Sequence, residues 1–177
     1  MTASDTREAL RAELEATRTA FHELLDRVPP ALYDNPSDNP AWTVGQVLFH
    51  MSLAPRLLIQ DVRLITKQSW LISLISQLLP RALFDWLNKH YTRFGARHPS
   101  HDFFARAYNE AHAITLRALD AVTDVELGKG VVYPGWDPLL AGEVTVARLF
   151  HYVKIHFEAH AQQIEEQIKT YEQNAGT

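Results

Sequence analysis

The sequence predicts an all-α protein, and three observations carry that reading. Apolar residues recur at three- and four-residue steps through four long segments. Glycine is scarce, at 7 of 177 residues, and β-branched residues do not cluster. Proline and glycine clusters separate the segments, where turns belong. The expected architecture is an up-down-up-down four-helix bundle with extra short helices inserted between helices two and three. At 177 residues the chain fits one domain, taken over residues 1–177 with a helical insertion at 67–99.

Segment one carries Leu10, Leu14, Phe21, Leu24, Leu25 and Val28 on one stripe at ~100° per residue. Ser4 or Thr6 is positioned to cap its start, and Pro29-Pro30 ends it. The run from Asp34 to Pro40 is turn chemistry. Segment two opens at Thr43, which has capping-box spacing to Gln46. Its apolar face is wide, from Val47, Leu48, Met51 and Ala54 to Leu57, Leu58, Val62 and Ile65, as a helix with two neighbours requires.

Residues 67–99 read as two short helices divided by Pro80. Trp70, Leu71, Leu74, Ile75, Leu78 and Leu79 form the first stripe, and Leu83, Phe84, Trp86 and Leu87 the second. So much apolar surface predicts packing on the bundle, with Trp70 and Trp86 buried at a homodimer contact. The basic residues Lys67, Arg81, Lys89, Arg93 and Arg97 are scattered along the stretch, which makes a membrane surface the weaker reading. Segment three starts at Ser100 and aligns Phe103, Phe104, Ala107, Ala111, Ile114, Ala118 and Val122. Residues 124–144 contain Gly128, Gly130, Pro134, Gly135, Pro138 and Gly142, which excludes a long helix. Segment four runs from Thr145 to about Tyr171 on Val146, Leu149, Phe150, Val153, Phe157, Ile164 and Ile168.

Composition removes several classes of function. With no cysteine there are no disulfides, thiolate metal sites or cysteine nucleophiles. The net charge is −4 and no basic block occurs, so nucleic acid is not the expected partner. No apolar run approaches the ~18 residues of a membrane span. The stretch from Met1 to Arg11 is polar and charged, unlike a signal peptide, and the expected location is cytoplasmic.

What stands out is 9 histidines. His156 and His160 lie four residues apart, on one face of segment four. Projected at ~100° per residue, His160 falls within the apolar arc and His156 on its border, while His151 falls on the opposite side. The same projection places His50 within the apolar arc of segment two. Three imidazoles from two helices therefore point inward. Each is either a core histidine hydrogen-bonded to its surroundings or a metal ligand. Parallel second and fourth helices starting at one end would bring the three to similar depth.

Two motifs carry a family resemblance. Pro40-Ala41-Trp42-Thr43-Val44-Gly45-Gln46-Val47-Leu48-Phe49-His50 is similar to a Trp and Ser/Thr opening of helix two followed by an inward His. His156-Phe157-Glu158-Ala159-His160-Ala161-Gln162-Gln163-Ile164 is similar to a fourth-helix signature of His, three residues, His, then Gln and an aliphatic residue. Together they resemble the DinB-like (DinB/YfiT-like) superfamily of metalloenzymes. Ala161 and Gln162 stand where many members have a further His or Arg, and residues 67–99 have no counterpart in a minimal member.

The resemblance implies a divalent metal ion, zinc or nickel, held by His50, His156 and His160. It also implies a hydrolase, or a transferase that uses a low-molecular-weight thiol, acting on a small-molecule substrate. Three neutral imidazoles leave a divalent ion with open positions, the pattern of a catalytic site. Such an ion acidifies a water or a thiol. The alternative is a non-catalytic helical protein whose histidines are structural or bind metal incidentally. No catalytic acid or base is evident, because Glu158 projects to solvent. Gln163 is either placed to orient a ligand or bound substrate or simply a polar residue at the edge of the stripe, and Trp42, Tyr133 and Trp136 are candidate pocket walls or core plugs. Asp61 faces inward too far from His50 to be a ligand, and calls for a structural partner such as His112 or an arginine. His98 and His101 read as exposed loop residues at the far end of the bundle.

Overall fold

The computed structural model describes residues 5–78, 80–137 and 139–175, and the side chains of all of these except 68–78, 134–136 and 175. Helix α1 spans Arg7–Arg27, with Thr6 as its cap accepting from the Ala9 amide at 3.2 Å. Its predicted stripe, Leu10, Leu14, Phe21, Leu24 and Leu25, is buried. Helix α2 spans Val44–Leu78. The Thr43–Gln46 capping box forms in both directions, at 3.2 and 3.3 Å. The predicted boundary between segment two and the insertion at residue 67 does not occur. Helix α2 continues to Leu78, and Pro80 then opens α3, Arg81–Gly95. The insertion is thus one helical extension and one new helix, and Trp70 lies outside the described side chains.

Helix α4 spans His101–Ala121 and is capped by Ser100. His101 is therefore a first-turn helical residue, paired with Asp26 at 2.7 Å rather than free in a loop. Residues 124–145 hold a single-turn helix α5, Asp124–Leu127, closed by a Thr123–Glu126 capping box. An antiparallel hairpin follows, β1 Gly130–Asp137 and β2 Leu140–Thr145. Gly142, at φ 77°, takes a left-handed conformation inside β2, opposite Tyr133, where the pairing with β1 becomes irregular. Helix α6 spans Val146–Ala175.

The long helices do not alternate in direction as expected. Arg11 pairs with Asp120 and Asp26 with His101, so α1 and α4 are antiparallel. Glu13 meets His151 and Arg27 meets Glu165, so α1 and α6 are parallel. Phe49 stacks on Phe103 and Arg56 pairs with Glu110, so α2 and α4 are parallel. Lys129, whose carbonyl accepts from the first amide of α6, reaches the Thr66 carbonyl of α2, whereas His50 near the start of α2 meets His156 well inside α6. Those two helices are therefore antiparallel. The physical cause is α3. It folds back along α2 and returns the chain to the start of α2, so α4 departs in the same direction as α2. The fold-back is tight: a Cβ on Gly95 would stand 2.1 Å from Phe49 Cε1.

Among the described residues, two apolar clusters fill the interior. One gathers Phe21, Trp42, Val47, Phe49, Phe104, Tyr108, Phe157 and Ile164. The other gathers Leu10, Leu14, Leu58, Ile59, Leu119, Leu127, Leu149 and Phe150. Each fully buried side chain of this size contributes ~1.5–3 kcal/mol. Leu57 departs from the predicted face and is 54% exposed.

Candidate metal centre

The three histidines singled out by helical phase come together. His50 Nε2 lies 3.1 Å from His156 Nε2, with the two rings 4.9 Å apart. The His160 ring is 4.5 Å from that of His156 and 5.0 Å from that of His50. One ring nitrogen from each of the three lies within 4.8 Å of the others. For comparison, two nitrogens ~2.1 Å from one ion at a tetrahedral angle stand ~3.4 Å apart. The donor set is therefore of the right chemistry and nearly the right spacing for a single divalent ion. Among the described residues no fourth His, Asp or Glu joins the group.

Electrostatics favour the ligating form. Burial pushes His50 down to about 3, with the neighbouring His160 adding to the effect. His156 is lowered by burial and then by His50 and His160. His160 is also lowered by burial, against the opposing pull of Gln163 and Asp137. Neutral imidazoles are what a metal ion needs, since a ligating nitrogen must be free of its proton. An outer contact sets the tautomer of His160. His160 Nδ1–H donates to Gln163 Oε1 at 3.1 Å, which leaves Nε2 with its lone pair. His50 Nδ1 lies 3.4 Å from the Thr92 hydroxyl.

A family model described as the DinB superfamily matches residues 13–164. The chain belongs to the DinB superfamily. Among solved structures it is similar to an uncharacterized protein from Clostridium difficile 630, at 18% identity and a TM-score of 0.65. That alignment covers 93% of this chain and 96% of the other, and shows a shared fold. No curated protein matches the chain.

In this DinB-superfamily chain the remaining sequence-predicted residues divide clearly. Trp42 walls the centre, its ring 4.4 Å from that of His50. Its Nε1 is buried with no hydrogen-bond partner among the described residues. The Trp42 backbone is pinned by Ser37 and Asn39. The Trp136 side chain lies outside the described residues. Tyr133 stands near Asp61 and acts on it electrostatically, where the sequence called for His112 or an arginine. Burial raises the Asp61 carboxyl above its ordinary range. His112 instead lies 3.2 Å from Glu15. Glu158 is exposed and 3.7 Å from Lys154, as its phase predicted. His151 stays outside the triad, but it faces α1 rather than open solvent, with Nδ1 2.8 Å from Glu13 and Nε2 3.3 Å from Asp5.

Three residues near the centre escaped the sequence reading. Thr92 comes from α3 and is fully buried. Asp137, at the end of β1, accepts from the Tyr152 hydroxyl and from the Leu139 amide at 2.8 Å. Its charge acts on His160. Tyr152 in turn has its ring 5.5 Å from that of His156. The hairpin thus brings a carboxylate within electrostatic reach of the triad.

Proposed function

We propose that this protein is a metal-dependent enzyme that acts on a small molecule, with His50, His156 and His160 holding one divalent ion, zinc or nickel. The observation that carries the reading is the donor set: three imidazoles kept neutral and convergent, with no fourth protein ligand among the described residues. A structural zinc site is normally closed by four protein ligands, whereas three ligands leave a position for a reactant. A divalent ion there would supply a Lewis-acidic position that acidifies a water or a low-molecular-weight thiol. Gln163 holds the His160 tautomer, Thr92 holds the His50 ring, and both leave the ligating nitrogens free to face inward. Trp42 supplies an apolar wall and an uncommitted N–H donor for a substrate. Asp137 places negative charge on the hairpin side, where it can accept a proton from an incoming acid. The two reaction classes that fit are hydrolysis and transfer to or from a thiol.

The test is whether the open position exists. Cobalt-substituted protein titrated with a low-molecular-weight thiol should develop sulfur-to-cobalt charge-transfer absorption. A cobalt spectrum indifferent to thiol and to small anions would mean a closed site and a non-catalytic role.

A further inference from the structure

Helix α3 is amphipathic in the wrong sense for a helix that only packs inward. Its buried side presents Thr92, with Phe84, Asn88 and Gly95 partly covered beside it. Leu83, Trp86, Leu87 and Phe94 are 43%, 54%, 47% and 64% exposed. At ~100° per residue these four fall within an arc of roughly 100°, opposite Thr92. The stripe therefore points away from the described residues on which α3 packs. Surface hydrophobics scattered singly are ordinary, but a row along one helix face marks an interaction site.

Charge identifies the occupant. The cations Arg81, Lys89, Arg93 and Arg97 stand against one carboxylate, Asp85, in a stretch of a chain whose net charge is −4. In sequence they look scattered. Folded, Lys89 and Arg93 lie on one flank of the stripe, roughly 40° apart, with Arg93 anchored by its bonds to the Ala41 carbonyl, while Arg81 falls on the Thr92 side and pairs with Asp85 at 3.8 Å. Arg97 lies with its guanidinium 3.6 Å over the Phe94 ring, at the end of the stripe. A second copy of the chain docked face to face through α3 would set these cations against their equivalents. An anionic surface would not. No helix of the described residues is long and apolar enough to cross a membrane, and α3 at ~22 Å is built to lie flat.

We propose that α3 docks on an anionic phospholipid bilayer, with Leu83, Trp86, Leu87 and Phe94 entering the interfacial layer and the basic flank meeting the headgroup phosphates. Trp and Phe with basic neighbours are the side chains that such an interface favours. The reverse side of α3 carries Thr92 against His50, so docking would set the metal centre about one helix diameter, ~10 Å, from the headgroups.

The test is flotation of the full-length protein with vesicles of phosphatidylcholine alone and with about one-third phosphatidylglycerol, at two salt concentrations. The expected result is binding to the anionic vesicles at least about tenfold stronger than to the neutral ones, weakened by salt. Leu87→Ser and Lys89→Glu should each lose most of that binding while retaining wild-type circular dichroism, because both side chains lie outside the core. Absence of binding to anionic vesicles overturns the proposal. So does equal binding by wild type and Leu87→Ser. A concentration-dependent dimer by sedimentation velocity, lost in Leu87→Ser and without vesicle binding, would assign the stripe to a second copy instead.

Discussion

Thr92 and His50 meet across the fold-back between α2 and α3, with the threonine hydroxyl 3.4 Å from Nδ1 of the imidazole. The contact orients the ring so that Nε2 faces His156. A hydroxyl behind a ligating histidine holds its ring angle, and loss of such a partner typically costs 10–100-fold in metal affinity. Thr92→Val keeps the shape of the side chain and removes the oxygen. It should lower zinc affinity by about tenfold, measured by competition with a chromophoric chelator. Unchanged affinity would show that packing alone holds His50.

The hairpin contributes through charge. Asp137→Asn keeps an acceptor for the Tyr152 hydroxyl but removes the negative charge that acts on His160. Affinity for a divalent ion should fall by up to about tenfold, and more at low ionic strength. Tyr152→Phe, which only loosens the carboxylate, should have the smaller effect. The reverse order would mean that the tyrosine itself is the important group.

The metal-free protein should lose stability in mild acid. Burial holds His50 at about 3 and keeps His156 low as well, while an unfolded imidazole titrates near 6.5. Above that pH neither state binds these protons and stability is unaffected. Below it the unfolded chain takes up protons that the native state refuses, so stability falls by about 1.4 kcal/mol per pH unit for each histidine. Melting temperatures of metal-free protein between pH 7 and pH 5 should therefore drop steeply, and His50→Gln should flatten the slope. Equal slopes would mean that the imidazoles protonate freely in the native state.

Much of the centre was legible in the sequence, because helical phase is a local property. The apolar stripe of α6 places His156 and His160 inward and His151 elsewhere. The Thr43–Gln46 capping box fixes where α2 begins, and so the phase of His50. What was not legible depends on contacts distant in the chain. The fold-back of α3 turns on the close approach of Gly95 to Phe49, which no periodicity reports. Without it the parallel run of α2 and α4 was hidden, and so was Thr92. Asp137 was hidden because Pro134, Gly135 and Pro138 read as loop, and the strand pairing is irregular between Tyr133 and Asp137. The histidines nevertheless converge, since antiparallel helices can bring them level as readily as parallel ones.

Removal of the ion should soften the fold without undoing it. The two apolar clusters surround fully buried Phe21, Phe104, Phe150, Leu48 and Leu149, none of which needs a metal to pack. A ligand at a hundredfold excess over its dissociation constant adds ~2.7 kcal/mol. Chelator should therefore lower the melting temperature while leaving the helical circular dichroism at 25 °C intact. Unfolding by chelator at that temperature would make the site structural.

The most direct measurement is the metal content of purified protein and its single variants, by elemental analysis after equilibration with zinc or nickel. Wild type should hold one ion per chain. His50→Ala, His156→Ala and His160→Ala should each lose most of it, because each supplies one of the three convergent nitrogens. His151→Ala should keep it, because that ring is engaged by Glu13 and Asp5 on the α1 side. Full metal retention by His50→Ala, or equal loss from His151→Ala and His156→Ala, would contradict the three-histidine centre.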